Sequence, residues 1–145
     1  MDKIYRPEEI GNSVLKSIAE GPVVVKKSKG GELKIHAMPA AFDIETTNLP
    51  ENEQSFMYIW QMRLDGYTIV GRYWYELEIM MNRIRQAFGE TRLICYIHNA
   101  SFEFQFLCGV HDFDAKDVFC IEANKVLYFR WFNVEFRCSY LLSNM

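Results

Sequence analysis

Hydrophobic and polar positions change their period several times along the chain, and each change marks an element. The stretch Ala41-Phe42-Asp43-Ile44-Glu45-Thr46-Thr47 alternates apolar and acidic residues. Successive side chains on a strand point to opposite faces, so Asp43 and Glu45 share one face while Phe42, Ile44 and Thr46 share the other. After a polar loop over 48–54, Ser55 to Met62 reads as a second strand. Asp65-Gly66 signals a turn, and Tyr67 to Gly71 a third strand, so this part predicts a three-stranded antiparallel meander. From Trp74 to Phe88 the period becomes helical, with Leu77, Met80, Met81, Ile84 and Ala87 on one side and Gly89 at the end. The two methionines there read as core packing.

Arg92 to Ile97 is a short apolar run between two helices, as expected of a central strand, and His98 to Leu107 starts the second helix. The tail from Val118 to Tyr140 alternates again, in segments 118–121, 126–132 and 134–138, and predicts hairpin strands. Upstream, Arg6-Pro7-Glu8-Glu9 begins a helix whose apolar stripe is Ile10, Val14, Leu15 and Ile18, and Gly21-Pro22 ends it. Val23–Val25 and Leu33–Ile35 flank a basic, glycine-rich hairpin tip over 26–31, which reads as a solvated turn. Residues 1–37 therefore form a lead-in helix and hairpin, and 38–145 the main unit. Leu141-Leu142-Ser143-Asn144-Met145 closes on an apolar pair with nothing after it. A longer protein, C-terminally incomplete here, is the expectation.

Composition narrows the picture a little. Half of the 145 residues are hydrophobic and 15% aromatic, enough for a packed core and against disorder. A net charge of −3 is neutral evidence, because cations can bring phosphates to an acidic protein. No apolar run is long enough to span a bilayer, so no membrane partner is expected. Cys95, Cys108, Cys120 and Cys138 are scattered, consistent with reduced thiols in a cytoplasm. Cys95-x-x-His98 and Cys108-x-x-His111 mimic zinc-ligand spacing, but on a strand Cys95 and His98 face opposite ways, so core cysteines are the better reading. The acidic loop of Asp112, Asp114 and Asp117 lacks the glycine and closing glutamate of a calcium loop and reads as a solvated turn.

The chemistry lies in the acidic strand. Two carboxylates side by side near a core repel and are costly to desolvate, unless a hard divalent cation such as Mg²⁺ or Mn²⁺ sits between them. A meander with Asp-x-Glu on its first strand, then helix, strand and helix, is the ribonuclease-H-like order. In that order the helix start after the fourth strand comes beside the first strand, so Glu103 becomes the candidate third carboxylate. Two cations held about 4 Å apart can then activate a water and stabilise the leaving oxygen of a phosphodiester.

Phe42-Asp43-Ile44-Glu45-Thr46-Thr47 resembles the first proofreading-exonuclease motif of family B DNA polymerases. Tyr96-Ile97-His98-Asn99-Ala100-Ser101-Phe102-Glu103 resembles the second motif in the protein-primed branch from phages and related mobile elements. The resemblance covers about 38–142 and implies the following. Asp43, Glu45 and Glu103 would be catalytic metal ligands, with Asp43 bridging two Mg²⁺ or Mn²⁺ ions. Thr46, Asn99 and Phe102 would hold the 3′ end of single-stranded DNA, supported by Tyr96, His98 and Phe106. The full enzyme would remove mismatched 3′ nucleotides and polymerise with further domains in an infected or element-carrying bacterial cell, with a terminal protein as a possible partner.

Two departures qualify the resemblance. Glu103 stands where the family has Asp, one methylene longer, and no tyrosine in the chain has an Asp four residues on, so the third motif is absent. The chain alone is expected to bind metal weakly and to be poorly active. Two alternatives follow: a non-catalytic module that binds DNA, a terminal protein or a polymerase partner, and a stand-alone nuclease recruiting Asp114, Asp117 or Glu135 as a fourth carboxylate.

Overall fold

A computed structural model describes residues 3–49 and 54–143. Its strands are β1 (Ile4–Tyr5), β2 (Val23–Ser28), β3 (Gly31–His36), β4 (Ala40–Leu49), β5 (Gln54–Leu64), β6 (Tyr67–Gly71), β7 (Leu93–Ile97), β8 (Val118–Glu122), β9 (Lys125–Trp131) and β10 (Val134–Cys138). The helices are α1 (Asn12–Ala19), α2 (Trp74–Phe88), α3 (Ala100–Leu107) and the short α4 (Ser139–Ser143). The chain is an α/β protein with one large mixed sheet, flanking helices and a separate β2–β3 hairpin.

The large sheet has eight strands in the order β1-β6-β5-β4-β7-β10-β9-β8. The meander β4-β5-β6 is antiparallel, as its alternation predicts. Its second turn uses Asp65 at φ 49° and Gly66 at φ 90°, two successive left-handed residues of the kind that match strand twist in tight hairpins. β7 then lies parallel to β4, and β10 parallel to β7. This places β4 and β7 in the middle of the sheet. Phe42, Ile44, Trp60, Met62, Cys95, Ile97, Phe129 and Phe136 are buried on one side, together with Leu77, Met80, Met81 and Ile84 of α2. The two methionines are fully buried, as their helical spacing implies.

Several boundaries differ from the sequence reading. The first helix is split: Pro7–Glu9 is a single 3-10 turn, Ile10 is extended, and α1 begins after Gly11. The reason is visible at Arg83, whose guanidinium donates to the Pro7 and Ile10 carbonyls and so takes up acceptors that a continuous helix would use itself. The ladder of β4 and β5 continues through Leu49 and Gln54, so Asn48, Leu49 and Gln54 of the expected loop over 48–54 belong to strands, and 50–53 lie outside the described residues. Hairpin β2–β3 runs to Ser28 and Gly31, which puts Lys26 and Lys27 within a strand rather than in the tip. The lead-in is also built into the main unit, because β1 pairs with β6 and α1 packs on α2. Cys108 and Cys120 are exposed, and only Cys95 and Cys138 are core thiols. The expectation of four core cysteines fails because Cys108 follows the last turn of α3 and Cys120 sits on the edge strand β8, where less of the molecule covers them. Among the described residues, no helix is long and apolar enough to cross a membrane.

Candidate metal centre

β4 keeps strict alternation through the acidic stretch: Phe42 and Ile44 are buried, and Asp43 and Glu45 are exposed. Its register against β5 shifts between Glu45 and Thr46, where Tyr58 is the extra residue on β5. Such bulges increase local twist and turn the following side chains. Asp43 lines a concavity of about 310 Å³ with Gln61, Arg63 and Thr68, so its carboxylate is open to solvent.

Glu103 arrives from α3. Asn99 caps that helix, its side-chain Oδ1 accepting the Phe102 backbone N–H at 3.3 Å. The cap sets the phase of the first turn, which turns Ala100, Glu103 and Leu107 inward and leaves Phe102 exposed. Glu103 is only 3% exposed, and its Oε2 is buried with no hydrogen-bond partner. Burial first, and then a shared hydrogen bond and the charge of Asp43, push its carboxyl from the usual 4.5 up to about 9; the Ile44 backbone amide pulls weakly the other way. Ionised Asp43 and ionised Glu103 are both acceptors and repel, so a hydrogen bond between them needs a shared proton, and a cation relieves the repulsion in its place.

The other buried glutamates show how unusual that is. Glu76 accepts the Arg72 and Tyr73 backbone N–H groups at 2.9 and 3.0 Å and the Arg6 guanidinium at 2.9 Å. Glu135 has guanidinium partners in Arg92, Arg130 and Arg137. Both are compensated, whereas Glu103 has an acid for a neighbour. An orphaned carboxylate oxygen beside a second, solvent-open carboxylate is a donor set that suits a hard divalent cation, so Asp43 and Glu103 fit Mg²⁺ or Mn²⁺.

The remaining candidates are placed as follows. Glu45 is exposed and Thr46 half-buried on the same strand. Among the described residues, no three or more His, Cys, Asp or Glu side chains are close enough together to hold a metal ion. Phe102 is 40% exposed and meets Phe106 edge to face at 5.3 Å, forming an aromatic surface one residue from Glu103. His98 packs edge-on against Tyr140 at 5.8 Å. Tyr96, exposed between the buried Cys95 and Ile97, lies on the sheet face with Arg137, its partner in the β7–β10 register. Asp112 and Asp114 are exposed and Asp117 half-buried, near a 3-10 turn at Ala115–Asp117. Phe104 packs on the core, its ring 4.9 Å from that of Phe129.

The arginine cluster around Glu135 is a feature that the sequence reading does not contain. Its signal is present in β10, where Val134-Glu135-Phe136-Arg137-Cys138 alternates like the acidic stretch of β4, with charges on the face opposite the core. No protein-family model, curated protein or solved structure significantly matches this chain.

Proposed function

We propose that this chain carries most of the 3′–5′ exonuclease domain of a protein-primed family B DNA polymerase, in a ribonuclease-H-like fold. The observation that carries the reading is the buried Glu103 carboxyl, one oxygen of which has no hydrogen-bond partner, beside Asp43 and delivered by an asparagine-capped helix. The strand order β6-β5-β4-β7-β10, with β5 antiparallel and β4, β7 and β10 parallel, supports the fold assignment.

Asp43 and Glu103 would hold a divalent cation, with Glu45 on the same strand as a further candidate carboxylate. Bound there, such a cation would supply an activated water and neutralise charge on the leaving oxygen. The protein's own part is positioning. Asn99 fixes the helix that presents Glu103, and Phe102 and Phe106 offer ring faces to a frayed base, where stacking is worth about 1–3 kcal/mol per base. Thr46, Tyr96 and His98 flank the path of the strand. Hydrolysis needs no covalent nucleophile.

Degradation of a labelled single-stranded oligonucleotide with Mn²⁺ tests this. The wild type degrades it from the 3′ end, slowly because the third motif is missing, and Asp43→Ala abolishes the activity. Degradation that survives Asp43→Ala sinks the assignment. Metal-independent binding with no cleavage favours the non-catalytic alternative.

A further inference from the structure

The sheet face turned away from the core carries a second site. Glu135, 5% exposed, lies opposite Arg130 on β9, and Arg137 follows two residues later on the same face. Arg137 donates to Glu135 Oε2 through Nε at 2.7 Å, and its Nη2 lies 2.7 Å from the same oxygen as an ion pair. Arg92 Nη1 is 3.4 Å from Glu135 Oε1. Arg130 Nε lies 3.4 Å from the same oxygen, but without the alignment of a hydrogen bond, and is buried without an acceptor. Three guanidiniums thus share one carboxylate, leaving a formal charge of +2 in a chain whose total is −3.

These groups line a concavity of about 350 Å³ together with Tyr128. Arg130 stacks over the Tyr128 ring at 5.8 Å, and Phe119 stacks on Tyr128 at 5.2 Å, nearly parallel. Arg137 also borders a neighbouring concavity of about 300 Å³ that contains Tyr96 and Lys26. A trough therefore crosses β9, β10 and β7, with cations along its floor and an aromatic ring on each side. Its surplus charge and flanking rings match the chemistry of a phosphodiester with an adjoining base.

We propose that this trough binds a phosphodiester of single-stranded DNA, with Arg92, Arg130 and Arg137 on the phosphate and Tyr128 against a base. The preference for DNA over a free phosphate rests on the function proposed above; the cradle itself does not. It needs no metal, contains none of the candidate metal ligands and is tested at Arg130 and Glu135, so the two readings fail separately; Tyr96 alone is shared with the strand path proposed above.

The test is anisotropy of labelled oligo-dT in EDTA, across a salt series, with inorganic phosphate as competitor. Arg130→Gln should weaken binding roughly tenfold and flatten the salt slope by about one, because one phosphate contact is lost. The fold tolerates this change, since Arg137 still holds Glu135. Glu135→Gln removes the competing carboxylate and should tighten binding about threefold. That opposite sign is not expected of a purely structural ion cluster. The proposal is overturned if Arg130→Gln, with an unchanged melting temperature, binds oligo-dT as the wild type does. It is equally overturned if the wild type binds inorganic phosphate but not oligo-dT.

Discussion

At the scale of single residues, the chemistry rests on one glutamate whose surroundings oppose its charge. Unfolded Glu103 ionises above about pH 4.5, while folded Glu103 keeps its proton until about pH 9. Between those values the folded state binds more protons, so its stability falls as pH rises through that window and is highest below it. Thermal melts of the metal-free chain should show this decline, and Glu103→Gln should flatten it and raise the melting temperature at about pH 8.5. A bound cation takes the place of the proton, so Mn²⁺ should raise the melting temperature more at about pH 8.5 than at about pH 5.5. Glu103→Gln should lose that metal-dependent rise. A pH profile that Glu103→Gln leaves unaltered would show that another group governs it.

Elements matter because they deliver such residues in register. Helix α3 has eight residues and a single side-chain cap, Asn99. Asn99→Ala should cost about 1 kcal/mol in urea unfolding, the usual range for a lost N-cap. It should also reduce Mn²⁺-dependent activity, because the cap orients the turn that carries Glu103. A second element-level constraint sits at the end of β6. A methyl group on Gly71 would lie 2.2 Å from the Trp60 ring, and that ring is held in place by its Nε1–H donating to the Tyr73 carbonyl at 3.1 Å. The ring is fully buried, so it has little room to retreat. Gly71→Ala should therefore cost at least about 1–3 kcal/mol by overpacking, read from the same urea midpoint. A stable Gly71→Ala variant would mean that Trp60 can repack.

For the whole molecule, the sheet order sets where stability concentrates. β4, β7 and β10 are paired on both sides, whereas β1 and β8 are edges. Amide exchange should be slowest in β7 and the first half of β4 and fastest in β1 and β8. Protected edges together with an exchanging centre would contradict the strand order. The proposed metal centre sits at the slow end of that gradient, which suits a site that must hold carboxylates within fractions of an ångström.

Much of this was legible in the chain itself. Period alone places the meander, α2, β7 and the three tail strands, because a face that must be buried imposes its spacing on the residues that form it. The acidic strand and the His98-Asn99 helix start were likewise readable as local patterns. Other features were not local. The break at Ile10 depends on Arg83, which lies 73 residues away in sequence and takes the Ile10 carbonyl. The burial of Glu103 against Asp43 depends on β7 lying parallel beside β4, and the arginine cradle on β10 landing between β7 and β9. Sequence by itself therefore determined which residues could be acidic neighbours on a strand or caps on a helix, since those follow from steps of two to four residues. Only the tertiary structure decided which carboxyl is buried against another acid and which guanidiniums share one carboxylate. Desolvation and charge pairing depend on what the rest of the chain brings alongside.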